Sequence, residues 1–148
     1  MANGIPVILH RCFGALFSKP VDAGLLLADG HPLLGYSKTW RGLLGGIIGA
    51  TVVAILFAFP VVFAVTFALF SLLGDLLSSF IKRRMKRAPS SKFIGVDQIP
   101  EAIFPLVAGT YWLDYGLNSI VIVTLSFFLI HILTSPVLAL LGLRKHPH

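Results

Sequence analysis

The sequence predicts an all-α integral membrane protein, a small helical bundle of four full spans plus a short N-terminal helix, forming a single domain over residues 1–148. Three observations predict it. Mean hydropathy is +0.89, and 56% of the 148 residues are hydrophobic, far outside the soluble globular range. The 40 residues between Arg41 and Lys82 carry Asp75 as their one charge. Ala102 to Leu143 carry only Asp114. Each run is long enough for two spans of about 20 residues.

The elements follow in order. Residues 2–18 are apolar but broken by His10 and Arg11, too few for a full span and without the layout of a signal peptide. They read as a short interfacial or partly inserted helix of the mature chain. Residues 19–42 are rich in Gly, Pro and Asp and read as an exposed loop. Pro60 places a turn at Phe59 to Val61, giving helices near 42–58 and 61–86. Gly42, Gly45, Gly46, Gly49 and Ala50 smooth one face of the first of these for close helix contact in lipid. The Asp114 to Asn118 turn signal splits the last run into helices near 98–113 and 118–141, with Pro136 loosening the final turns. Tyr111, Trp112 and Tyr115 cluster there, as interfacial aromatics do.

Charge position sets the sidedness. Counting four spans from residue 42, the loop before it, the segment 82–97 and Arg144-Lys145 share one side. Every Lys and Arg lies in these regions or in the N-terminal segment, and the turns near Pro60 and Asp114 have none. The positive-inside rule makes that side cytoplasmic, so the expectation is a multi-pass protein of the cytoplasmic membrane. The net charge of +6 therefore reflects topology and membrane lipid rather than nucleic acid, for which a broad basic, aromatic-studded surface is missing. A single cysteine, Cys12, excludes an intrachain disulfide and a structural zinc site, and reads as packing.

The chemistry concentrates between Gly74 and Glu101. Asp75 follows a charge-free apolar run, where an ionisable group is costly without a partner or ligand. Ser78, Ser79 and Lys82 lie three, four and seven residues on, and share its helix face. After Lys82, Arg83, Arg84, Lys86 and Arg87, the Pro89-Ser90-Ser91 segment breaks the helix, and Asp97 and Glu101 open the next. Carboxylates flanking basic groups suit metal and phosphate chemistry, and phosphoryl or nucleotidyl transfer in particular.

Each residue also has a plainer reading. Asp75 can be a structural ion pair or an interhelical hydrogen bond. The basic run anchors to anionic headgroups, so only Lys82 and Arg83, nearest Asp75, are assigned to the site. Lys38 and Arg41, which fall on the same side, can be topology determinants. Asp97 and Glu101 can cap a helix. His131, mid-helix with Thr134 and Ser135 beyond it, reads as a hydrogen-bonded bundle residue.

These residues resemble the CDP-archaeol synthase family, small membrane cytidylyltransferases related to the CDP-diglyceride synthetases. The likeness lies in Pro20-Val21-Asp22, Gly35-Tyr36-Ser37-Lys38-Thr39-Trp40-Arg41-Gly42, Gly74-Asp75-Leu76, Ser79-Phe80-Ile81-Lys82-Arg83-Arg84, Asp97-Gln98 and the closing Leu141-Gly142-Leu143-Arg144-Lys145. It spans most of the chain in the family's order. It departs in two places. Members have a full span ahead of the Ala2 to Val7 stretch, where this sequence begins, so the first helix is expected to be short, re-entrant or cut by a wrong start site. The family's Asp-Gln-Leu-Asp is here Asp97-Gln98-Ile99-Pro100-Glu101, so Glu101, on the i+4 face, stands in for the second carboxylate.

The resemblance implies a five-helix fold with a charged cavity open to the cytoplasm. It implies transfer of CMP from CTP to a lipid phosphate, with Mg²⁺ as cofactor and CDP-lipid and pyrophosphate as products. The family's acceptor is digeranylgeranylglyceryl phosphate, an ether lipid. The implied roles are catalytic for Asp75, Lys82 and Asp97, substrate-binding for Asp22, Lys38, Arg41, Ser79 and Arg83, and metal-binding for Asp75, Asp97 and Glu101. The alternatives are a phosphatidate cytidylyltransferase acting on ester lipid, or a non-enzymatic transporter or scaffold that binds anionic lipid.

Overall fold

In the computed structural model, residues 19–91 and 93–140 are described, with side chains to Thr134. The predicted N-terminal helix over 2–18, with Cys12, and the closing 141–145 segment lie outside the described residues. Four helices form: α1 (Trp40–Leu56), α2 (Val61–Arg84), α3 (Gln98–Gly109) and α4 (Leu117–Leu140). They pack in chain order, α1 on α2, α2 on α3, and α3 on α4.

The outside is far more apolar than that of a water-soluble protein. The buried set holds Ser78, Ser79, Lys82, Arg83, Gln98 and Thr124 beside Ala54, Phe63, Ala64, Ala68, Ala102 and Ile120, while Ile48, Leu56, Val62, Leu73, Ile122 and Leu133 are exposed. Burying charge while displaying branched apolar side chains is favourable only when the surroundings are themselves apolar. α2 and the Leu117–Thr134 part of α4 are long and apolar enough to cross a membrane. α1 has 17 residues and α3 has 12, about 25 Å and 18 Å at 1.5 Å per residue, both short of a hydrocarbon core of about 30 Å. Two of the four expected full spans therefore reach full length within the described residues.

Pro60 acts as expected, as the N-cap of α2. The other end of α2 falls two residues short of the expected 86. The helix stops at Arg84, well before Pro89, because Lys86 adopts φ 58° and closes a Schellman pair, Lys86 N–H to Arg83 O (3.0 Å) and Arg87 N–H to Lys82 O (2.9 Å). Lys82 and Arg83 thus sit in a defined last turn, where their charge complements the helix dipole.

At the opposite end, Trp112 stacks edge-on against Phe63 (5.9 Å between ring centroids) and Tyr111 (4.9 Å). The turns at Pro60 and Asp114, both free of Lys and Arg, therefore meet at one end of the bundle. The small face of α1 has two uses. Gly46 contacts Leu72 of α2, since a Cβ there would lie 3.4 Å from it. Gly49 and Ala50 line an apolar cavity of about 610 Å³ with Phe59, Phe63 and Phe67.

Candidate active site

The loop before α1 is built around Asp22. Its Oδ1 accepts from Gly24 N–H (3.0 Å), and its Oδ2 from Leu34 (2.8 Å) and Gly35 (2.9 Å). Burial pushes this carboxyl up, but the bonds from Gly35, Leu34 and Gly24 together outweigh it and hold the group below the usual aspartate range. Both oxygens are thereby committed to the backbone. Val21 N–H donates to Lys38 O (2.8 Å), a bridge joins Pro20 to Thr39, and the Thr39 hydroxyl caps α1 by accepting from Gly42 N–H (3.2 Å). Lys38 is thus fixed from both sides.

Lys38 reaches α2. Its Nζ lies 2.6 Å from both carboxylate oxygens of Asp75. One and two turns further along α2, Ser79 and Lys82 are buried, and Ser78 Oγ donates back to the Asp75 carbonyl (2.9 Å). Lys82 Nζ stands 2.7 Å from Asp97 Oδ1 and donates to Ser91 O (3.0 Å). The Lys82–Asp97 contact is an ion pair without hydrogen-bond alignment, so Asp97 Oδ1 keeps unused accepting capacity. The other Asp97 oxygen accepts from Phe93 N–H (2.9 Å).

Glu101 lies within electrostatic reach of Asp75, Lys38 and Asp97. It comes this close because of Gly74, where an added Cβ would overlap the Pro100 carbonyl and lie 2.7 Å from Glu101 N. Pro100 fits the first turn of α3, where no backbone N–H is needed inside the helix.

Arg83 is 2% exposed, donates to Ala88 O (2.7 Å) and leaves Nε without a partner. Gly35, at φ 95°, passes against it: a Cβ there would lie 3.2 Å from Arg83 Nη1. The guanidinium so belongs to the wall where the loop meets the 86–91 turn. Arg41 is half-buried in the first turn of α1, three residues after Lys38.

Two roles escaped the sequence reading. Arg84, assigned there to headgroup anchoring, pairs with Asp29 and donates to the carbonyls of Pro32 (2.6 Å) and His31 (3.3 Å), stapling the loop to α2. Nothing in the sequence separates it from its basic neighbours. Gln98 bonds both Gly95 and His131. His131 is hydrogen-bonded within the bundle, as expected.

The donor set suits a hard cation. Among the described residues no three His, Cys, Asp or Glu side chains close on one point, so Asp75, Asp97 and Glu101 do not form a ready-made cage. Mg²⁺ does not require one, since it takes one or two carboxylates together with substrate phosphates. Asp75, already holding the Lys38 ammonium, offers the hard carboxylate oxygen that such a cation takes.

Comparison with known proteins bears on the family and the fold. No curated protein matches the sequence significantly. A solved structure described as "Structural insight into an intramembrane enzyme for archaeal membrane lipids biosynthesis" superposes with a TM-score of 0.72 at 30% identity, covering 90% of this chain and 85% of that one. The family model described as CarS-like, CDP-archaeol synthase, matches residues 4–148, and the chain belongs to that family.

Proposed function

We propose that the paired ions Lys38–Asp75 and Lys82–Asp97, brought together by the Gly74–Pro100 contact, are the CTP-handling centre of this enzyme. As a member of its family the protein is a membrane cytidylyltransferase, transferring CMP from CTP to a lipid phosphate. The observation that carries the site assignment is that Asp75 and Asp97 are each held by a lysine from another segment. Such mixed charge at one point suits a triphosphate and its cation.

In the reaction, an oxygen of the lipid phosphate forms a bond to the α-phosphorus of CTP. The bond from that phosphorus to the bridging oxygen breaks, and pyrophosphate leaves with the electron pair. The attacking oxygen is already anionic at neutral pH, so no general base is needed. The residues act by positioning and by balancing charge. Asp75 and Asp97 would hold Mg²⁺, with Glu101 as a further carboxylate beside them. Bound there, the cation would neutralise phosphate charge. Lys38, Lys82 and Arg83 hold the phosphates, and Arg41 and Ser79 complete the wall. Asp22 serves through the loop that presents Lys38, since its own oxygens are taken.

Orientation and acceptor belong to the same proposal. The site end carries Lys38, Lys82, Arg83, Arg84 and Arg87, and faces the cytoplasm by the positive-inside rule. α1 and α3 are the shorter membrane helices of the family's five-helix pattern. The apolar cavity between α1 and α2 reaches Gly46, which touches Leu72, one turn before Asp75. It suits the alkyl chains of digeranylgeranylglyceryl phosphate. The deciding experiment offers purified protein CTP, Mg²⁺ and a mixture of ether and ester lipid phosphates, with products read by mass spectrometry. CDP-ether lipid is expected. CDP-ester lipid as the main product rejects the acceptor, and free phosphate without any CDP-lipid rejects the reaction.

A further inference from the structure

We infer that His131 is a positioning residue for the CTP half of the reaction, acting on Asp97 through Gln98. The inference rests on the proposed role of Asp97.

Asp97 stands where the 93–97 turn enters α3, and its aim depends on that turn. Two side chains clasp it. Asp97 accepts from Phe93 N–H and returns its own N–H to Phe93 O (3.0 Å). Gln98, 6% exposed, accepts with Oε1 from Gly95 N–H (2.8 Å), at a glycine with φ 89°. The Gly95 donor fixes which way the amide faces, so the Gln98 NH₂ must point the other way. There it meets His131 Nδ1 at 3.1 Å. Nδ1 is then the acceptor, and the imidazole is neutral with its proton on Nε2. A chain of directed bonds so runs from α4 through Gln98 to the turn that holds Asp97.

The Lys82–Asp97 ion pair does not supply this aim, because it is not aligned as a hydrogen bond. If the Gln98 clasp is lost, Asp97 remains charged and paired while its Oδ1 loses direction. The cost should therefore fall on the nucleotide and spare the lipid, which meets the site from the α1–α2 side.

The test compares wild type, His131→Leu, His131→Asn and Gln98→Met in detergent, measuring KM for CTP and for lipid phosphate, kcat, and CTP affinity by calorimetry. Asn can place an acceptor near the position of Nδ1. His131→Leu is expected to raise KM and Kd for CTP about fivefold to tenfold, the scale of one buried hydrogen bond, with the lipid KM unchanged. His131→Asn should recover most of this. The double variant His131→Leu with Gln98→Met should be no worse than Gln98→Met alone. An unchanged CTP KM in His131→Leu, an equal rise for both substrates, or an Asn variant as poor as Leu overturns the inference. If Leu at 131 prevents folding, Gln98→Met probes the same bond from its other end, and the same CTP-selective loss is required. Wild-type protein that makes no CDP-lipid overturns the reading of the site itself, and this inference with it.

Discussion

Lys38 Nζ sits 2.6 Å from both carboxylate oxygens of Asp75, so a single ammonium from the loop fills the face that a divalent cation would use. Lysine and metal therefore compete for Asp75. Removing the ammonium with Lys38→Met is expected to tighten Mn²⁺ binding in the absence of nucleotide by roughly fivefold, the worth of a partly exposed ion pair. The same variant should weaken CTP, because the cation that meets the phosphates is gone. Calorimetry with Mn²⁺ and then with CTP separates the two effects, and weaker Mn²⁺ binding would contradict the competition. Asp75→Asn should lower turnover by roughly a hundredfold or more, the scale of losing one electrostatic contact to the reacting groups.

The loop is held by Arg84 in two ways of unequal strength. Its pair with Asp29 is partly exposed and is worth little. Its bonds to the Pro32 and His31 carbonyls are charge-assisted and partly buried. Arg84→Gln is therefore expected to loosen residues 25–37, with faster amide exchange there and a several-fold higher KM for CTP. Asp29→Asn should change both by less than twofold. Equal effects from the two variants would show that the ion pair, and not the carbonyl bonds, holds the loop.

Part of this site was legible in the sequence because charge in an apolar chain is conspicuous. Asp75 stood alone in 40 residues, and Lys82 fell on its helix face by spacing. The pairing of Lys38 with Asp75 was not legible, because they lie 37 positions apart and the loop has no periodicity to exploit. The end of α2 was legible to within two residues, near 86 against Arg84, but the device that ends it was not, because a lysine in the left-handed region goes against the preference for glycine there and Pro89 was the visible breaker. The length of α3 was overestimated, because hydropathy counts apolar residues whereas backbone geometry ends the helix at Gly109, while α1 has the expected length and is displaced two residues toward its Thr39 cap.

Asp22 gives a prediction with a sign. Its folded pKa lies below the usual value, so its contribution is complete above the unfolded pKa and is lost as pH falls through the depressed one. Loop stability should hold through neutral pH and decay as pH falls below the ordinary aspartate range. Asp22→Asn removes that acid dependence and turns an NH₂ toward backbone donors. It should destabilise the loop at neutral pH and raise the CTP KM through misplaced Lys38. Thermal shift against pH for both proteins checks the sign: the difference in Tm should shrink as the medium becomes acidic, and a difference that grows would refute the assignment.

Gly74 sets the separation of α2 and α3 at the point where their acidic groups meet. A methyl group there would collide with the backbone of Pro100 and Glu101, which cannot rotate away as a side chain would. Gly74→Ala must therefore push the helices apart or shift α3 along its axis, at about 1–3 kcal/mol for overpacking. Since Asp75 follows Gly74 and Glu101 follows Pro100, the same shift separates the carboxylates. Turnover should then fall by more than the loss of folded protein explains, when activity is normalised to the folded fraction. Leu73→Ala is the control, because Leu73 is half-exposed on the apolar outside of α2 and should leave normalised activity unchanged. If Gly74→Ala loses stability and activity in the same proportion, close helix contact is a matter of packing alone. A disproportionate loss of turnover ties it to the geometry of the charged centre.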